Sequence, residues 1–230
     1  MKRINTTAIV LARTDYGEAD RILTLLTPNE GKIKGIAKGV RKSKSKMAGG
    51  IELFSISEIS YIIGKSEINT IISTRLLNHY GAIVKDMDRT TAAYDFIKIM
   101  NKATEDNPEP GYFDLLKNTF ESLNDKLIDL NIIKTWFEAQ LLKLAGHSPN
   151  LKTDQSDNKL LPGHNYIFNY DKVCFQADKA GKFSSDQIKF LRLVFSDNLP
   201  KTLQKISRSP ELAIQAQQLV GALLQNYVRL

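Results

Sequence analysis

Two hydrophobic rhythms divide the chain. Through the first eighty residues apolar positions recur with a period near two, and from about Thr90 the period is near 3.6. The early segments 6–13 (TTAIVLAR), 20–27 (DRILTLLT), 31–40, 51–63 (IELFSISEISYII) and 67–76 (EINTIISTRL) are rich in Ile, Val, Thr and Tyr. Turn residues at 15–17, 28–31 and 64–66 bound them. Alternation is clearest where Phe54, Ile56, Glu58, Ser60 and Ile62 face away from Ser55, Ser57, Ile59, Tyr61 and Ile63. Five short strands with no helix between them predict a small antiparallel barrel, of the OB-fold type or, fitting nearly as well, an SH3-like one.

The second rhythm predicts helices. Ala93, Phe96, Ile97 and Met100 fall on one face, as do Phe113, Leu116, Phe120 and Leu123, and then Ile132, Ile133, Trp136, Phe137, Gln140, Leu141 and Leu144. Asn107, Pro108, Pro110 and Gly111 separate the first pair, and Gly146 with Pro149 ends the third helix. Ser184 or Ser185 caps a further helix through Phe195; Ser209 followed by Pro210 is a cap and N1 pair for one that runs nearly to Leu230. Between these, residues 147–182 are polar and then strand-like (NYIFNYDKVCFQ), as for a short β-hairpin laid on the helices and bracketed by Gly163 and Gly181.

Charge changes this picture from a scaffold to a binding protein. The net charge is +7, and residues 1–80 carry 13 Lys/Arg against 7 Asp/Glu, residues 81–150 carry 8 against 11, and residues 151–230 carry 11 against 7. The stretch 31–46 (GKIKGIAKGVRKSKSK) holds Lys32, Lys34, Lys38, Arg41, Lys42, Lys44 and Lys46 and no acid. Such a run repels itself unless a polyanion lies against it, and nucleic-acid backbones are the commonest such partner. On an extended segment Lys32, Lys34 and Lys38 share one side of the barrel, with Arg41 to Lys46 continuing the charge as a mobile loop. Arg13 and Arg21, near the ends of the first two strands, are placed to add phosphate contacts. Tyr16, Phe54 and Tyr61 are the only aromatics before Tyr80, so backbone binding is expected over base reading. The plain alternatives are a solvated basic loop and, for Trp136 and Phe137, ordinary bundle core.

Other chemistry is thin. Cys174 is the single cysteine, which excludes an internal disulfide and a cysteine-built zinc site within one chain. His79, His147 and His164 show no metal spacing, and Asp15, Glu18 and Asp20 are read as a solvated acidic turn. No phosphate-binding G-x-x-x-x-G-K-[ST], GxGxxG or HExxH motif occurs, so no catalysis and no cofactor are expected. No apolar run approaches the roughly 20 residues of a membrane span. The start, MKRINTTAIVLART, is too short in apolar residues for a secretory signal, so a cytoplasmic protein is expected, and its basic strip would place it at the nucleoid.

The series AIVLARTDYGEADRILTLLT, GKIKGIAKGVRKSKSK and then an ELF segment resembles the start of the bacterial DNA repair family RecO, and WFEAQLLKLAGHSPNL is similar to that family's helix followed by Gly and a Pro-Asn-Leu turn. The resemblance implies an α+β protein with an N-terminal five-stranded OB-fold DNA-binding domain (about 1–80) and a helical bundle domain with a β-hairpin insertion (81–230). It also implies a recombination mediator that binds ssDNA and dsDNA, anneals strands, acts with RecR and helps load RecA on strands coated by single-strand-binding protein. The acidic tail of that protein docks on the helical domain in the family, and Lys201, Lys205 and Arg208 are the basic cluster expected to meet it. An RNA-binding accessory factor of translation or ribosome assembly is the alternative. One departure stands out. Where many members carry paired cysteines of a zinc module, this chain has KTDQSDNK at 152–159 and only Cys174, so a metal-free remnant at about 147–182 held by Tyr166, Phe168 and Phe175 is expected.

Overall fold

The computed structural model describes residues 2–64, 68–104 and 111–228. The expected strand start at Glu67, the turn at Ser66, the breaks at Asn107, Pro108 and Pro110 and the chain end at Leu230 lie outside them. Contacts sort the chain into two compact units, one running through Asp125 and the other beginning at Lys126.

The first unit is built on a closed barrel of β1 (Arg3–Tyr16), β2 (Asp20–Thr27), β3 (Gly31–Ala37), β4 (Ser55–Ile62) and β5 (Ile68–His79), in the order β1-β2-β3-β5-β4. The parallel pairing of β3 with β5 completes the OB arrangement rather than an SH3-like one. A bulge between Val10 and Ala12 bends β1, so its first half pairs with β4 and its second with β2. Ala8, Val10, Leu23, Leu25, Ala37, Ile59, Tyr61 and Ile71 fill the interior. At Gly35 a Cβ would stand 2.5 Å from Ile71 Cδ1, so any larger residue there would have to push the Ile71 side chain aside within the barrel core.

Two strands are shorter than alternation predicts. β3 stops at Ala37 because Gly39 adopts φ +64 and the chain turns; β4 begins at Ser55 because Ala48–Ile51 winds into a 3-10 turn that buries Ile51 in the barrel. Two helices complete the unit. α1 (Met87–Ala103) is capped by Asp86, whose Oδ1 accepts from Arg89 N at 3.1 Å, and it lies against β1. α2 (Tyr112–Asn124) buries Phe120, which meets Phe54 edge to face at 5.9 Å.

The second unit packs α3 (Leu130–Leu144) on α6 (Ser209–Tyr227), with α4 (Ser185–Val194) and the single turn α5 (Pro200–Leu203) beside them. α3 ends in a Schellman motif: Gly146 takes φ +79, its N–H donates to Lys143 O, and His147 N donates to Leu142 O. Trp136 and Phe137 are buried, and Trp136 Nε1 donates to Asn198 O at 2.7 Å. Ser184 caps α4 in a reciprocal box with Gln187. At α6 the expected cap is displaced by one. Arg208, at φ +60, is the N-cap, while Ser209 is the first helical residue and its Oγ donates to Gln204 O.

The expected hairpin is present as β7 (Tyr166–Asn169) and β8 (Cys174–Ala177), and β6 (Asn150–Asp154) extends it as a third strand parallel to β8. Its core is aromatic. Phe175 is fully buried and its ring centroid lies 5.1 Å from that of Phe168, 5.3 Å from that of Phe183 and 6.3 Å from that of Tyr166. The KTDQSDNK turn closes on one carboxylate: Asp154 Oδ1 accepts from Ser156 N at 2.8 Å and Asn158 N at 2.9 Å. Lost solvent raises the Asp154 pKa, and these hydrogen bonds more than offset it, leaving the group below its ordinary value.

Glu138 of α3 is the poorly satisfied carboxyl of this unit. Its Oε2 is buried without a hydrogen-bond partner among the described residues, and Oε1 meets Gln217 Nε2 of α6 at 3.5 Å. Burial pushes its pKa up to about 7, against the smaller opposing effects of the Gln217 hydrogen bond and the Lys134 charge. A carboxyl whose folded pKa lies above its unfolded one binds more protons when folded. Stability therefore falls as pH rises from the unfolded pKa toward 7. Glu138→Gln is expected to leave stability unchanged at pH 4 and to raise it at pH 8 by as much as about 3 kcal/mol, the linkage limit for this shift, read as a flattened pH dependence of urea midpoints.

Candidate nucleic-acid interface

Strand register sorts the basic residues. Ala12, Thr24 and Lys34 form one outward row across β1, β2 and β3, and Thr14, Ile22 and Ile36 form the next. Lys34 is exposed there. Lys32 lies one pleat further along, but its Nζ donates at 2.7 Å to Asn101 O in the last turn of α1. A cation on a helix C-terminal carbonyl is a structural clamp. Lys32 therefore ties α1 to the barrel from the same face of β3 that carries Lys34.

Residues 38–47 form consecutive turns rather than a continuation of β3. Arg41 N donates to Ala19 O at 2.9 Å, Lys42 N to Gly39 O at 3.2 Å and Ser45 N to Lys42 O at 2.9 Å. Gly39 N donates to Asp20 Oδ1 at 2.7 Å, and at the far end Thr74 Oγ1 donates to Met47 O at 2.8 Å. The loop, expected to continue the charge as a mobile segment, is thus hydrogen-bonded to the β1–β2 turn at one end and to β5 at the other. Along it Lys38, Arg41, Lys42, Lys44 and Lys46 are exposed. Lys34, Lys38, Lys42, Lys44 and Lys46 form no ion pair among the described residues.

Arg13 and Arg21 stand on the other face of the hairpin, in rows with Leu23 and Ala37 of the core. Arg13 pairs with Glu52 at 2.9 Å; Arg21 and Arg41 both reach Asp15, at 2.8 and 3.4 Å. The Arg21 hydrogen bond first, and then the charges of Arg41, Arg21 and Arg13, hold the Asp15 carboxyl below the usual carboxylate range. The acidic turn is therefore no solvated bystander. Asp15 pairs with two arginines and Asp20 pins the basic loop, a role that separation in sequence hid. Of the early aromatics, Phe54 and Tyr61 are buried and Tyr16 is exposed, so a multi-ring stacking platform is absent from the described barrel.

In the second unit Arg208 pairs with Glu211 at 2.8 Å and borders a groove of about 630 Å³ between α4 and α6. Lys182 and Lys189 also line it, around Phe190, Leu193 and Leu212. Lys201 and Lys205 do not. Sequence reading missed Lys182 and Lys189 because one precedes α4 and the other lies in its middle, and they meet Arg208 only through the packing of α4 on α6. Among the described residues no three His, Cys, Asp or Glu side chains are grouped to hold a metal, and no helix is long and apolar enough to cross a membrane.

Known proteins share this organisation in sequence. A profile described as Recombination protein O N terminal matches residues 1–80, and one described as Recombination protein O C terminal matches residues 84–230. The chain is 33% identical over 223 residues to a DNA repair protein RecO of Dehalococcoides mccartyi strain 195, covering 92% of this chain and 87% of that one. It is 31% identical over 182 residues to DNA repair protein RecO of Clostridium novyi, covering 77% and 70%. Two family profiles in series, the second beginning just past the barrel, and relatedness along almost its whole length show that the chain belongs to the RecO family of DNA repair proteins.

Proposed function

We propose that the protein is a non-enzymatic recombination mediator whose barrel domain, residues 1–80, holds ssDNA and dsDNA by their backbones and promotes annealing of complementary strands. The observation that carries this reading is the continuous set of exposed cations from Lys34 through Lys46, free of internal carboxylates except at Arg41, on an OB barrel of this family. Base pairing supplies the free energy of annealing; the protein lowers phosphate repulsion between strands and needs no nucleotide. The helical domain docks partners. The α4–α6 groove sets Lys182, Lys189 and Arg208 around an apolar floor, with Lys189 and Arg208 in exposed, exchangeable pairs with Asp186 and Glu211, which suits an acidic peptide such as the tail of single-strand-binding protein. With RecR, the complex would pass such strands to RecA in the cytoplasm, at the nucleoid.

The test is strand annealing on DNA precoated with single-strand-binding protein, in the absence of nucleotide. Acceleration by the wild-type chain supports the mediator reading. Lys189→Glu with Arg208→Glu is expected to abolish acceleration on coated strands while leaving it on naked ones. No acceleration on either substrate would refute the proposal.

A further inference from the structure

Asp15 offers its two oxygens to two different guanidiniums: Oδ1 accepts from Arg21 Nε at 2.8 Å and Oδ2 faces Arg41 Nε at 3.4 Å. A phosphodiester also presents two anionic oxygens and one negative charge, and it is what paired arginines otherwise bind. We propose that Asp15 stands where a backbone phosphate sits when nucleic acid is bound, and that the phosphate displaces it. Asp15 is then an internal competitor that sets the affinity of the interface. This rests on the DNA-binding reading above.

Three observations favour a competitor over a residue that merely positions the arginines. First, the arginines are held by other means. Arg41 is fixed through its own backbone, by Arg41 N on Ala19 O and by the neighbouring Gly39 N on Asp20 Oδ1, and Arg21 lies within the β2 ladder opposite Ala37. The backbones that carry both side chains are therefore anchored independently of the carboxylate. Second, the Asp15 side chain is 53% exposed whereas those of Arg21 and Arg41 are 28% and 36% exposed, so the anion is the outermost member of the cluster. Exposed ion pairs are weak and readily exchanged. Third, the competitor borders the run of cations without carboxylate partners, from Lys42 onward, along which a strand would approach.

Asp15→Asn keeps the side chain's shape and removes its charge. Fluorescence anisotropy of a labelled oligothymidylate with the full chain is expected to show binding tightened about fivefold at low salt, with a salt slope steeper by about 0.7 for each arginine released. In a chain carrying Arg21→Gln and Arg41→Gln, the same substitution is expected to give no gain. Weakened or unchanged binding by Asp15→Asn, with thermal melting as in the wild type, overturns the inference and leaves DNA binding intact. A gain that persists without the two arginines overturns it as well, since it would show only a general charge effect. If neither the wild type nor Asp15→Asn binds the oligonucleotide, the DNA-binding reading itself falls and the inference with it.

Discussion

Replacing Arg41, Lys42, Lys44 and Lys46 together with glutamine is expected to weaken oligothymidylate binding by about two orders of magnitude at 0.1 M salt and to lower the salt slope by about 3, at roughly 0.7 per lost contact. The loss should be alike for all sequences, because no ring platform reads bases on the described barrel. Folding should be little changed: these side chains are exposed, and the hydrogen bonds that shape residues 38–47 come largely from backbone N–H groups and Thr74, which the substitutions leave in place. Lys32→Met should do the opposite, costing stability through the lost hydrogen bond to Asn101 with a smaller effect on the slope. Anisotropy titrations from 50 to 300 mM salt decide it. A slope equal to that of the wild type would remove the loop from the interface.

Phe175→Ala is expected to destabilise the second unit by about 3 to 5 kcal/mol, the usual cost of emptying a buried aromatic site. Phe175 is fully enclosed, and Tyr166, Phe168 and Phe183 all pack on its ring, so its removal leaves the three-stranded sheet without a centre. Urea unfolding followed by near-ultraviolet circular dichroism measures the loss. A cost under about 1 kcal/mol would mean that the polar turns, such as the one Asp154 closes, hold the sheet and the rings merely cover it.

Much of the barrel was legible because its signal is local. The 20–27 strand matches β2 at both ends, and the alternation puts Ile59 and Tyr61, which fill the barrel, on one face of β4. The 3-10 turn at Ala48–Ile51 was not legible: IELF reads as strand, and it is the barrel's need for a plug that turns Ile51 inward. Helix α5 escaped for a similar reason, being one turn started by Pro200 with too few residues to show a period. The basic loop was visible in the sequence, yet its division was not. Whether a lysine faces solvent or a helix end depends on α1, nearly seventy residues away from Lys32, and whether an arginine is paired depends on Asp15 across a hairpin. The three-stranded sheet was half seen, since β7 and β8 are adjacent in sequence while β6 joins through a parallel pairing that no short-range pattern reveals.

The stitching of the turn at Asp20 to the loop at Gly39 and Arg41 makes two hairpin tips into one mechanical piece. Insertions at residues 17–19 would therefore move the neighbouring loop's positive field without altering any residue in it. A tip of another length would carry the same lysines at a shifted position on the barrel.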